Sequence, residues 1–141
     1  MTSLHRVALL ISTILAVIVG GWAFALPTRF YSSFPGFGLR WISADGPFNE
    51  HLIRDVGAMY LALAAASVVG LIRRSRDATV VLGAAWTTFG VLHFGYHAAH
   101  LAEMSVTDAV GNVVTLGLSL LLGIVLLVPA GRIRSAEEAV K

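Results

Sequence analysis

Residues 78–101 read ATVVLGAAWTTFGVLHFGYHAAHL, an apolar run that turns polar only toward one end. A helix rises about 1.5 Å per residue, so about 20 such residues cover a hydrocarbon core about 30 Å thick. Backbone groups in lipid must be satisfied within the segment, and this run is much too long for a barrel strand. It is expected to be a membrane helix. At about 100° per residue, His93, His97 and His100 fall within an arc of about 60°. Tyr96 and Glu103 lie beside the same stripe. Ionisable groups inside a bilayer are costly and normally face a protein interior or a water-filled cavity.

Outside this run, three further apolar stretches approach or exceed the spanning length, approximately Val7 to Leu26, Leu52 to Ile72 and Val106 to Pro129. The 141 residues are 57% hydrophobic and 13% charged, with mean hydropathy +0.80, which leaves too little polar surface for a soluble domain. The expected fold is all-α and integral to the membrane, a single four-helix transmembrane bundle over residues 1–141 in the inner (plasma) membrane. The absence of cysteine removes disulfides, thiolate metal sites and iron–sulfur clusters together. The basic residues are few and sit at membrane edges, so the pI near 9.5 reports orientation and excludes a nucleic-acid partner.

In the first run, Ala23-x-Ala25 looks superficially like a signal-peptidase site. The run is longer than a usual signal h-region, so a retained helix is expected. Pro27 to Asn49 then form one long connection, in which Pro35-Gly36-Phe37-Gly38 forbids a continuous helix. Its aromatic residues Phe30, Tyr31, Phe34, Phe37, Trp41 and Phe48 suit either an anchor at headgroup level or a lid over a cavity. Asn49 is a plausible N-cap for the second helix. His51 and Asp55 share one face there, and Glu50 and Arg54 the next. Ala58, Ala62, Ala66 and Gly70 form a small-residue ridge of the kind that lets membrane helices approach closely, so the polar start of this helix is expected to face a partner helix.

Arg73-Arg74-Ser75-Arg76-Asp77 is short enough to be only a tight turn. Arg6, Arg73, Arg74, Arg76, Arg132, Arg134 and Lys141 fall on one side of the membrane, against Arg29 and Arg40 on the other. By the positive-inside rule both termini are cytoplasmic and the aromatic loop is outside, with the C-terminal tail near anionic lipid. That orientation brings His51 to the depth of His100, and Asp55 to that of His97. His93 lies deepest, and Asp108, Asn112, Thr115 and Ser119 follow on the fourth helix.

Histidines at i and i+4 with a third ligand from i+7 or a neighbouring helix make a usable metal set. The expected ligands are His51, Asp55, His93, His97 and His100, with Glu50 and Glu103 ranked behind them. Sulfur-free, imidazole-rich sites suit zinc, copper or iron. Haem held axially by imidazoles from two helices, such as His51 and His97, is a variant. The competing expectation is a hydrogen-bonded network that only fixes helix registry.

The spacings His93-x3-His97 and His97-x2-His100 resemble fragments of the histidine boxes of membrane fatty-acid desaturases and hydroxylases. Five histidines in the whole chain cannot supply that family's full di-iron set. At whole-chain level, a first helix, an aromatic Pro/Gly loop, Asn49-Glu50-His51-Leu52-Ile53-Arg54-Asp55-Val56-Gly57-Ala58 and a terminal histidine cluster resemble small four-helix actinobacterial membrane proteins of unknown function. More loosely they are similar to the DoxX-like group. The resemblance implies the fold and no activity.

Two functions follow as expectations. One is a small metal-dependent oxidoreductase or hydroxylase acting on a lipid, quinone or other apolar substrate from the outer leaflet. In it Asp55 or Glu50 serves as ligand or proton acceptor, Tyr96 donates a proton, and the loop closes the site. The other is a noncatalytic subunit or binding protein, alone, as a homo-oligomer or within a larger membrane complex, whose polar cluster is structural or carries protons or metal. No phosphate-binding glycine loop, nucleophile elbow or zinc-protease motif is present.

Overall fold

The computed structural model describes residues 1–129 and Gly131, without the side chains of Asp45 and Glu103. The basic tail residues Arg132, Arg134 and Lys141 and the Glu103 carboxylate therefore lie outside the described residues. The chain forms α1 (Ser3–Ala25), α2 (Pro27–Ser33), α3 (Glu50–Arg73), α4 (Arg76–Ala99) and α5 (Val106–Leu127), with no strand among the described residues. All but α2 are long and apolar enough to cross a membrane.

Each long helix starts on a side chain that satisfies a first-turn N–H. Asn49 accepts from Leu52 N at 3.1 Å, Ser75 from Ala78 N at 3.1 Å and Ser105 from Asp108 N at 3.2 Å. Thr2 caps α1 in a box closed by a histidine: Thr2 Oγ1 accepts from His5 N and His5 Nδ1 accepts from Thr2 N, both at 3.3 Å. With Nδ1 accepting, Nε2 carries the proton and donates to Val128 O at 3.0 Å. This bond ties the start of α1 to the end of α5. At the other helix end, Arg74 in the left-handed region (φ 52°) closes α3. Helices α1, α3 and α4 begin earlier than the apolar runs, because the caps lie in the polar residues ahead of them.

Packing proceeds in two pairs. Helix α1 lies along α3 and α4 along α5; α1 also meets α5, whereas α3 and α4 touch sparsely. Glycines set the first pair's distance: a Cβ on Gly20 would stand 2.8 Å from Gly57 O, and one on Gly57 2.6 Å from Phe24 N. In the second pair, Gly83 rests on Leu126, Gly90 on Leu120 and Gly123 on the Trp86–Thr87 backbone. The core between the pairs holds Leu9, Ala16, Tyr60, Ala64, Leu82, Trp86 and Leu126. Most of the large aliphatic side chains, including Val17, Ile18, Val69, Val81, Leu92 and Leu118, point outward, as a lipid-facing surface requires.

The expected ridge on the second helix is corrected. Ala58, Ala62 and Ala66 are exposed, and the face that packs is Ile53, Gly57, Tyr60, Ala64, Ser67 and Gly70. Glycine at 57 admits the α1 backbone and wins the contact from the alanines.

The aromatic connection is neither a loose strap nor wholly irregular. Pro27, with its fixed φ and missing N–H, opens α2. Phe30 is 4% exposed, edge-on to Trp22 at 5.9 Å. Phe34 meets Trp22 at 5.8 Å and Trp41 at 5.9 Å. Phe37 alone projects fully, at the tip.

Candidate functional site

The five expected ligands do not converge. His51 and Asp55 pair with each other at 3.3 Å (Nε2 to Oδ2), with side chains 87% and 62% exposed. Glu50 binds Arg54 at 2.8 Å, and Arg54 also donates to the Phe24 carbonyl and lies over the Phe24 ring, 5.7 Å from its centroid. The Glu50–Arg54 pair therefore serves the α1–α3 contact, and here the partner-facing expectation holds. For His51 and Asp55 it is corrected, since the helical rotation that aims Arg54 at α1 turns them outward.

His100 is likewise separate. Its Nδ1–H donates to Tyr96 O at 2.7 Å, and its ring stacks on Tyr96 at 4.3 Å. Tyr96 is half exposed. Beyond Ala99 the chain leaves α4, so the azimuth that placed His100 on the stripe no longer applies. Among the described residues, no group of three histidine, aspartate or glutamate side chains is positioned to hold a metal ion. The set His51, Asp55, His93, His97 and His100 is thus divided three ways, and zinc, copper or iron finds no three-ligand site in it. Haem fits no better: His51 points away on the exposed face, while His97 is only 7% exposed.

His93 and His97 do come together, with ring centroids 4.8 Å apart. His93 stacks on Phe89 at 5.0 Å and meets Tyr60 of α3 edge-on at 6.5 Å. Tyr60 also meets Phe89 at 5.0 Å. Below this group, the Trp86 indole N–H donates to Ser67 Oγ at 3.0 Å in full burial. The result is a polar and aromatic seam on the sparsely packed α3–α4 side of the bundle, with His93 itself only partly buried.

Helix α5 adds a polar group that the sequence marks only weakly. Asn112 is 2% exposed, on the face that presents Gly123 and Leu126 to α4. The loop covers this end: Trp41 Nε1–H donates to Asp108 Oδ1 at 3.0 Å, Ser105 Oγ–H to Asp108 Oδ2 at 2.7 Å, and the indole lies against Gly111. Trp41, 7% exposed, is part of this buried structure.

Sequence reasoning passed over Tyr60, Phe89 and the specific role of Trp41. Tyr60 had a signal, being the one polar ring on the Gly57–Ala64 face. Nothing local pairs Trp41 with Asp108, which lies far along the chain. Chemically, the two imidazoles and the phenol of the seam can donate and accept hydrogen bonds, as can the Asn112 carboxamide on the α5 face toward α4. Set beside protein-family models, curated proteins and solved structures, the chain matches none.

Proposed function

We propose that this chain is a noncatalytic membrane binding protein that takes the polar head of an apolar molecule between α3 and α4. The observation that carries the reading is the contact of His93 with His97, backed by Phe89 and Tyr60 where α3 and α4 pack sparsely. Imidazole is a polar group able to hydrogen-bond a head group, the stacked rings suit a flat or alkyl body, and a partly buried His93 gives lateral access from lipid. Sites for small ligands are mostly apolar with a few placed polar groups. The oxidoreductase and hydroxylase readings lose their support with the division of the ligand set, and Asp55, Glu50 and Tyr96 lack a common substrate position. The proposed setting is the plasma membrane, with the arginine turn cytoplasmic. Kinship with small four-helix or DoxX-like membrane proteins is part of the same proposal.

The test is direct binding of a long-chain alkylphenol to the purified protein in detergent micelles, by titration calorimetry. His93→Leu and His97→Leu are each expected to weaken binding about tenfold, the equivalent of about 1.4 kcal/mol. Binding unchanged in both variants, or absent from the native protein, would refute the reading.

A further inference from the structure

The Oδ1 atom of Asn112 is buried and, among the described residues, has no hydrogen-bond partner, in a residue 2% exposed. An acceptor left unmade in an apolar interior carries the full desolvation penalty of the group. In the loop and on α5, the Trp41 indole N–H and the Ser105 hydroxyl go to Asp108, and the Thr115 hydroxyl to the Gly111 and Asn112 carbonyls.

Where this oxygen lies follows from helix geometry. Asn112 shares the azimuth of Gly123, about three turns away on α5, and Gly123 rests on Trp86–Thr87 of α4. His97 shares the azimuth of Trp86, about three turns away along α4. The helices are antiparallel and in register through the Gly83–Leu126, Gly90–Leu120 and Gly123–Thr87 contacts. The same register brings Asn112 level with His97 on the facing surface, beneath the Trp41 cover.

We infer that the head group held by this protein is a hydroxyl, which donates its proton to Asn112 Oδ1 beside His97. The inference rests on the binding function proposed above and narrows it to a class, alcohols or phenols carrying an apolar body. A ketone, ester or ether has no proton to give, so it leaves the carboxamide oxygen unpaired. The site then discriminates as buried polar groups do, by penalising the analogue that lacks the matching donor.

A matched pair of probes tests this on the native protein in micelles: a long-chain alkylphenol and its O-methyl ether. The ether is expected to bind about tenfold more weakly, one neutral hydrogen bond's worth. In Asn112→Leu the tenfold preference for the phenol over its ether should disappear. Equal binding of both probes to the native protein would overturn the hydroxyl assignment while the binding function stands. Binding of neither would overturn the binding function and the assignment with it. The comparison on the native protein decides the matter even where Asn112→Leu does not fold.

Discussion

Replacing Gly57 by alanine isolates the contact that sets the distance between α1 and α3. The new methyl would stand 2.6 Å from Phe24 N and 2.9 Å from Gly20 O, against about 3.4 Å for ordinary contact. Both obstacles are backbone, so no side chain can swing aside. The helices must part by something on the order of 0.8 Å, the difference between 3.4 and 2.6 Å. Overpacking of this kind costs about 1–3 kcal/mol, and parting also strains the Arg54 bond to the Phe24 carbonyl. Alanine recovers about 0.5–1 kcal/mol through helix propensity. The net expectation is a loss of up to about 2.5 kcal/mol. Gly117→Ala is the matched control, because nothing lies within 4 Å of a Cβ built there; it should gain up to about 1 kcal/mol. Reversible unfolding in mixed detergent micelles measures both. Gly57→Ala proving as stable as Gly117→Ala would refute the backbone-contact account of this pair.

Other perturbations separate structural from binding roles. Trp86→Phe strands the buried Ser67 hydroxyl and should destabilise by about 1–3 kcal/mol; adding Ser67→Ala should restore part of that loss in a double-mutant cycle, and strict additivity would disprove the coupling. Trp41→Phe removes the donor to Asp108 and should raise amide exchange in the aromatic loop while the protection of α4 stays as it was; exchange rising equally in both would mean that Trp41 holds the bundle and not the loop. His51→Ala and Asp55→Ala should each alter stability by less than about 0.5 kcal/mol, as exposed pairs do, and leave alkylphenol binding intact; loss of binding in either would reinstate a site shared with His93 and His97.

The four spanning segments were legible because hydropathy reports the bilayer directly, and the caps at Asn49 and the turn at Arg73–Asp77 because their chemistry is local. Helix rotation was harder to read. Along α3, the alanine ridge and the Gly57–Ser67 face are both small-residue stripes, and only the backbone approach at Gly20 and Gly57 chooses between them. That choice fixes where His51 and Asp55 point. Once α1 takes the Gly57 face, the i, i+4 pair at 51 and 55 is carried to the outside. Matched depth on neighbouring helices is therefore necessary for a shared site and far from sufficient. His93 and His97 were legible as a pair because one helix holds both, at a spacing that keeps rings in reach.

The two-pair packing also explains why polar side chains collect where they do. Close approach within each pair comes from glycine against backbone at Gly20, Gly57 and Gly123. Large side chains are displaced to the boundary between the pairs, where Tyr60, Trp86 and Phe89 fill the space. Phenol and indole bring polar atoms with them, and in lipid each must be matched or left costly. Ser67 answers the Trp86 indole. Among the described residues, nothing answers Asn112 Oδ1. A bundle built for packing alone would carry an apolar residue at position 112, which asks for no partner. Retaining a carboxamide level with His97, under an indole fixed by its own hydrogen bond, accords with a polar group arriving from outside the chain.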